Sequence, residues 1–403
     1  MYEISAHAFI IFFLSLYIKY MWGGKLIGEG IHGCIHYQPR LNCNGEKQPT
    51  KNEVSKLMKT SEAIKELTKN EEIRDIVASS ASSKSAPLGK EGHREYMLLQ
   101  NRKCKPSFSI SKKNLGKCSL KKGYAKNPKQ YSLLIGRYGG VSLYSLFDEI
   151  LKGWEKQRKN KVFVSKYLGL MGKMGPVFKG LYYFNIAERI HHDIKDDNIV
   201  YLDKSPTEDL QKGMRYIDFG RSVMVPEDIM HMKKECRGMF DSDGFHPPYP
   251  IEYTYCCSNK KELKQELKNY KNRTYYENIK KIHVDLLQTC SSNEDFDRKV
   301  ESIIKEYIKK KPSDNELMKI FMKIDVYSLG MACVYEISRI TDSEDNIAMS
   351  DIFKTRSGKF KDFIKLLGKM MNIDYRKRLD SKQAYTEFQK IFQTRKTQKK
   401  LRK

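Results

Sequence analysis

Several things are missing from this chain, and each absence narrows what it can be. No Cys-x-x-Cys pair occurs among the nine cysteines, Cys34, Cys43, Cys104, Cys118, Cys236, Cys256, Cys257, Cys290 and Cys333. Their spacing has no regularity either, so neither a zinc site nor a disulfide framework is expected, and a reducing, intracellular setting fits best. The vicinal Cys256-Cys257 reads as two idle thiols or as an oxidisable pair. A bilayer-length apolar run is missing too. The stretch from Ala8 to Ile18 is strongly apolar but falls short of the roughly 18–20 residues that span a membrane. No basic residue precedes it, Glu3 being the only formally charged side chain there, and no small-residue cleavage site follows, which argues against export. An interfacial anchor, an extra N-terminal segment and a start of translation at Met21 all stay open. Acidic side chains are scarce as well: 75 Lys and Arg stand against 49 Asp and Glu, a formal charge of +26. That excess favours acidic partners such as nucleic acid, anionic membrane or acidic protein, although an AT-rich coding sequence produces the same Lys-rich composition.

What is present begins with composition. At 403 residues and 40% hydrophobic content, the chain is able to bury a sizeable core. Its chemistry gathers in the stretch from Ile190 to Val200, which contains His191-His192-Asp193-Ile194-Lys195 and Asn198, followed by Asp218-Phe219-Gly220. Asp193 and Asn198 are held five positions apart on one loop, with Asp218 shortly after. Moving a phosphoryl group onto a hydroxyl asks a protein mainly for positioning and charge neutralisation. Asp193 is the group to orient and deprotonate the hydroxyl. Asn198 and Asp218 offer the hard oxygens that magnesium prefers, and Lys195 can reach the transferring phosphate.

The order H-x-D-x-x-x-x-N and then D-F-G resembles the catalytic set of the eukaryotic-type serine/threonine protein kinase superfamily. The resemblance covers roughly Trp22 to Phe392, interrupted by insertions. It implies an α+β, two-lobed protein kinase fold: a small, mostly β N-lobe over residues 22–138 and a larger, mostly α C-lobe over 139–392. A helical insertion falls at about 253–321, an apolar segment at 1–21 and a basic tail at 393–403. Lys25 to Ile35 carries G-x-G-x-x-G-x-I, in which Gly28, Glu29, Gly30 and Gly33 resemble the loop over the nucleotide phosphates and Ile35 its adenine contact. Lys56, in Glu53-Val54-Ser55-Lys56, resembles the phosphate-binding lysine of the V-A-I-K strand.

That lysine needs a carboxylate from the following helix. Glu66, Glu71, Glu72 and Glu95 are the candidates, and Glu95 is chosen because Arg94 to Leu99 matches an E-x-x-x-L helix pattern. The choice requires an insertion between Lys56 and Glu95. Ser61 to Val77 has helical periodicity and runs into a Ser-rich linker. Tyr131 to Gly140 resembles the strand and hinge between lobes, with backbone groups from Gly136 to Tyr138 facing the adenine edge and Leu134 or Ile135 as gatekeeper. Glu252, in Tyr249-Pro250-Ile251-Glu252, stands where kinases carry A-P-E, and Arg378 resembles its buried partner. Asp325-Val326-Tyr327-Ser328-Leu329-Gly330 resembles the start of the central C-lobe helix. The Lys- and Glu-rich insertion is expected to be a solvated helical elaboration, with substrate or partner docking as the other reading.

The function implied is transfer of phosphate from ATP, with magnesium or manganese, to Ser or Thr hydroxyls of a protein substrate. Asp193, Lys195 and Lys56 are the catalytic set. The position of Lys195 resembles the serine/threonine branch. His192 stands where the family has Arg, which implies activity less dependent on loop phosphorylation and leaves room for a weak enzyme. Two other classes compete: a pseudokinase or nucleotide-binding scaffold, and a small-molecule phosphotransferase. The hinge, the Tyr-Pro-Ile-Glu segment and the insertion look like the divergent kinases of large cytoplasmic DNA viruses, which would place the protein in host cytoplasm or virion.

Overall fold

The computed structural model describes residues 25–30, 33–81, 92–157, 160–202, 213–241, 247–339 and 358–392. The apolar segment at 1–21, the second half of the Ser-rich linker and the basic tail lie outside the described residues. Contacts divide the chain into two units, one running to Asp75 and resuming over Leu98–Gly139, the other comprising Ile76–Met97 and everything from Gly140. The first is dominated by a small antiparallel sheet and the second by helices, an arrangement consistent with a kinase-like fold.

The first unit contains β1 (Lys25–Gly30), β2 (Gly33–Tyr37), β3 (Glu53–Lys59), β4 (Arg102–Cys104) and β5 (Tyr131–Arg137), ordered β1-β2-β3-β5-β4. Alternation along the strands separates two faces. Cys34, Leu57, Leu133 and Ile135 pack on one face with Leu41, Leu115, Cys118 and Tyr124. Met58 and Leu134 pack on the other against Ala63 and Leu67 of α1 (Thr60–Ala81). That helix starts at the residue after β3 ends, so its first turns fold directly back over the strand.

The expectation of no disulfide fails in this unit. Cys34 is bonded to Cys118 and Cys43 to Cys104, at sequence separations of 84 and 61. Both bridges join a strand or its flank to the long excursion around β4, and partners so far apart leave no local spacing pattern to read. A short helix, α2 (Lys121–Lys126), closes that excursion.

The second unit threads a three-stranded sheet, β6 (Val141–Ser142), β8 (Ile199–Leu202) and β9 (Gly213–Tyr216), and a two-stranded one, β7 (Arg189–Ile190) with β10 (Val223–Met224). Its helices are α3 (Leu143–Gln157), α4 (Asn160–Met171), α5 (Gly175–Ile186), α6 (Ile229–Asp241), α7 (Ile251–Tyr255), α8 (Lys260–Asn269), α9 (Tyr276–Lys281), α10 (Asn293–Lys309), α11 (Asp314–Met322), α12 (Ile324–Arg339), α13 (Gly358–Met370) and α14 (Ser381–Phe392). Gly140, at φ +96°, lets β6 approach β8, since a Cβ there would lie 1.9 Å from the Tyr201 carbonyl oxygen.

The insertion is not the solvated elaboration expected. In α10 the apolar Phe296, Val300, Ile304 and Tyr307 recur at helical spacing and are buried. They join Leu263, Tyr270, Tyr276, Ile320 and Phe321 in a core shared with Ile251, Tyr253 and Tyr255. The charges that dominate its composition occupy the outer faces. An exception is buried: Arg273 donates to both oxygens of Glu266 at 2.7 and 2.8 Å, and the Tyr255 hydroxyl donates to Glu266 at 3.0 Å. Among the described residues no helix is long and apolar enough to cross a membrane.

Candidate active site

In the first unit, strand register builds one row across four strands. Gly28 is paired with Ile35, Ile35 with Lys56, and Lys56 with Leu134. Directly opposed residues in antiparallel strands share a face, so the proposed adenine contact, the proposed phosphate lysine and one of the two gatekeeper candidates stand side by side. Ile135 points to the opposite core. Gly33 is needed for packing, because a Cβ there would sit 2.8 Å from the Leu57 carbonyl oxygen, whereas one on Gly30 would meet nothing within 4 Å. The Glu29 carboxylate accepts a hydrogen bond from the Ser119 amide at 2.7 Å. The loop tip, residues 31 and 32, lies outside the described residues. Gly136 continues the ladder opposite Val54. The Tyr138 amide donates to the Asn52 carbonyl at 2.9 Å and the Tyr138 ring stacks on Tyr37, so that amide is not open to an adenine edge as expected.

Lys56 is nearly buried, and its ammonium donates to both carboxylate oxygens of Glu66 at 2.8 Å. This corrects the choice of Glu95. Ala63, Glu66, Asn70 and Ile73 are buried at the spacing of one helix face, and the immediate start of α1 after β3 brings the carboxylate of Glu66 over a lysine ten residues earlier. Glu95 instead ends a 3-10 turn, not the α-helix expected over 94–99, and pairs with Lys179 of α5 at 2.6 Å. Both of those residues belong to the second unit.

The second unit assembles the loop residues. Asn198 donates its amide to the Asp193 carboxylate and to the Asp193 carbonyl, both at 2.8 Å. The nitrogen end of Asn198 is thereby committed, and Oδ1 is the end left to meet a cation. Lys195 Nζ lies 3.7 Å from Asp193 Oδ2. The Ile217 amide donates to the Asn198 carbonyl at 3.0 Å, which ties the residue before Asp218 to the loop. Asp218 and His192 both sit at left-handed φ, +61° and +60°. Such backbone costs about 1–3 kcal/mol per residue and persists only where surroundings enforce it.

Those surroundings are visible. The fully buried Asp325 accepts the backbone N–H groups of His191 and His192, and burial raises its carboxyl above the ordinary range. Phe219 packs between His191 and Phe184, and the His191 ring is 3.0 Å from the Ile217 carbonyl through Nε2. Glu252 and Arg378 form the expected ion pair, 2.5 Å apart and essentially solvent-free. Burial pushes the Glu252 carboxyl up despite that partner.

Sequence reasoning missed what meets His192. Its Nε2 lies 3.0 Å from the Tyr253 hydroxyl, the Tyr249 hydroxyl donates to its carbonyl at 2.7 Å, and its Nδ1 lies 3.0 Å from Glu235, with the N–H poorly aimed. Burial pulls His192 below its ordinary value, outweighing the Glu235 carboxylate, so the imidazole is neutral at pH 7. Burial opposes ionisation of Glu235, but the His192 contact and the charges of Arg221 and His231 more than reverse it and hold the carboxyl at about 2. Nothing in local spacing announces Glu235, which reaches His192 only because α6 folds back over the loop.

No family model matches this chain, and no curated protein matches it. Among solved structures it is similar to the BubR1 kinase domain, at 15% identity and a TM-score of 0.30, covering 50% of this chain and 47% of that one. The chain therefore spans about half the length of that structure. A superposition this shallow assigns no role to any residue here.

Proposed function

We propose that this chain is an ATP-dependent protein kinase acting on Ser or Thr hydroxyls. The observation that carries the reading is the Asp193–Asn198 pair, hydrogen-bonded side chain to side chain on a loop anchored by buried Asp325, with the residue before Asp218 hydrogen-bonded to Asn198. Asp193 orients the substrate hydroxyl and takes its proton as the new oxygen–phosphorus bond forms and the γ-phosphorus bond to the departing ADP breaks. Lys195 steadies charge on the moving phosphoryl group. Lys56, held by Glu66, is the ligand of the α- and β-phosphates. The donor set of Asn198 Oδ1 and the Asp218 carboxylate is all hard oxygen and fits magnesium, or manganese in its place, which when bound neutralises charge on the transferring phosphate.

A protein substrate is favoured by the buried Glu252–Arg378 pair, because it anchors the segment that a peptide would lie against. The position of Lys195 favours Ser and Thr over Tyr. The Glu235–His192 contact supports activity without loop phosphorylation, since a carboxylate of this chain occupies the place beside the residue that replaces the family's Arg. The test is transfer of labelled γ-phosphate from ATP with magnesium to model proteins, with Asp193→Asn as control. Transfer to Ser or Thr that disappears in the variant is expected. Undiminished transfer in Asp193→Asn, or transfer only to small alcohols and aminoglycosides, would overturn the proposal.

A further inference from the structure

Three thiols converge in the second unit away from the loop chemistry. Cys236 lies in the last half of α6, Cys256 follows α7 directly, and Cys257 is next in the chain. Cys236 Sγ and Cys256 Sγ are 3.4 Å apart, Cys256 Sγ and Cys257 Sγ 3.8 Å, and all three sulfurs lie within 4.8 Å of one another. Three sulfurs each about 2.3 Å from one ion stand roughly 3.8–4.0 Å apart. The Cys256–Cys257 separation already matches that value, the Cys236–Cys256 separation is a few tenths of an ångström short of it, and the third pair lies within 4.8 Å. Solitary buried cysteines such as Cys333 behave as small core residues, but a third thiol brought to a vicinal pair from another helix needs a different account.

We propose that Cys236, Cys256 and Cys257 form a thiolate site for a soft d10 cation of the Zn2+ or Cu+ class. The ligand type selects soft ions over magnesium or calcium. Each thiol releases its proton to solvent on binding. Cys257 is the partly accessible member and gives the ion its entry, while Cys236 and Cys256 are buried. A disulfide accounts for the cluster less well. Adjacent residues have Cα atoms about 3.8 Å apart, below the separation that disulfides adopt, which disfavours Cys256–Cys257, and a bond between Cys236 and Cys256 would leave Cys257 over. The other sulfur-containing group of this kind among the described residues, Glu29 with Cys34 and Cys118, is excluded because its cysteines are already bonded to each other.

The position gives the site a consequence. Cys236 follows Glu235, and Cys256 lies three residues after Tyr253, whose carbonyl accepts the Cys236 thiol at 3.0 Å until that proton leaves on metal binding. Glu235 and Tyr253 are the two side chains that meet His192, the neighbour of Asp193. An ion bound here would clamp α6 to the end of α7 and hold both contacts in place.

The full chain, purified with a non-thiol reductant, is titrated with Cd2+ and with Zn2+. Cd2+ binding is followed by the thiolate-to-cadmium charge-transfer absorption and retained metal by elemental analysis. About one ion per chain is expected for the parent and for Cys290→Ser, falling to near zero in Cys236→Ser and in Cys257→Ser. In the unaltered protein, bound Zn2+ should also slow alkylation of Cys257, read by peptide mass spectrometry, which keeps the test meaningful where a buried variant misfolds. Equal metal retention in Cys257→Ser, alkylation indifferent to Zn2+, or a Cys236–Cys256 disulfide in the unreduced protein would overturn the assignment. None of these readouts depends on phosphate transfer, so the site and the proposed kinase activity fail or stand separately.

Discussion

Replacing Glu66 by Gln is the sharpest test of how Lys56 is held. The two side chains are only 8% and 7% exposed, with both carboxylate oxygens 2.8 Å from the ammonium. Stripping one partner from a buried pair leaves an uncompensated charge, at about 3–5 kcal/mol. Because the pair keeps slight solvent access and Gln retains one acceptor, about 3 kcal/mol is expected. Opening free energy in this unit is read from native-state amide exchange along β3 and β5, where that loss appears as roughly 100-fold faster exchange. Glu95→Gln should leave these amides unchanged, since its pair with Lys179 is partly exposed and lies in the other unit, where such pairs contribute at most about 1 kcal/mol. Lys56→Met combined with Glu66→Gln should cost less than the two changes separately, by about 1–3 kcal/mol. Additivity within about 0.5 kcal/mol, or equal acceleration by Glu95→Gln, would refute the pairing. The same Glu66→Gln variant should lose roughly 100-fold in γ-phosphate transfer through misplacement of Lys56.

Other outcomes follow from the same geometry. Arg378→Met strands the buried Glu252 carboxylate and should destabilise the second unit by about 3–5 kcal/mol, whereas Arg378→Met with Glu252→Leu should recover much of that in thermal unfolding. Gly33→Ala drives a methyl into the Leu57 carbonyl and should cost about 1–3 kcal/mol, while Gly30→Ala leaves the melting temperature nearly unchanged. Acidification should destabilise the second unit through two groups acting in the same direction. His192 is pulled below 6.5 by burial, so its neutral form is lost at a stability cost as pH falls below 6.5. Glu235 sits at about 2 against an ordinary 4.5, so its contribution is present above 4.5 and disappears between 4.5 and about 2. Glu235→Gln should flatten the lower limb of a stability–pH curve, and an unchanged limb would remove Glu235 from the account.

How much of this was legible follows from how local each feature is. The Asp193, Asn198 and Asp218 set is compact in sequence, and its hydrogen bonds close over five residues or across the paired strands β8 and β9. Glu252 and Arg378 were readable as partners only through the resemblance, since 126 positions separate them. Glu66 carries a signal of its own: the helix face of Ala63, Glu66, Asn70 and Ile73 begins immediately after the lysine strand. The E-x-x-x-L pattern at Glu95 looked stronger because it matched a motif, but Tyr96 and Met97 are drawn into a bridge with Tyr216 instead of a helix. In the insertion, charge dominated the composition and concealed an apolar stripe in α10 that periodicity could have exposed.

The sequence by itself determined the residues proposed for phosphoryl chemistry and their order, because an Asp, an Asn and a second Asp on neighbouring loop and strand ends need few contacts to meet. Only the tertiary structure decided which carboxylate holds Lys56, which cysteines are bridged, what meets His192 and where three free thiols converge. Those outcomes depend on where whole helices and strands come to rest. Ion pairs, sulfur contacts and buried charges form wherever packing brings the groups within a few ångströms, and separation along the chain carries almost no information about that distance.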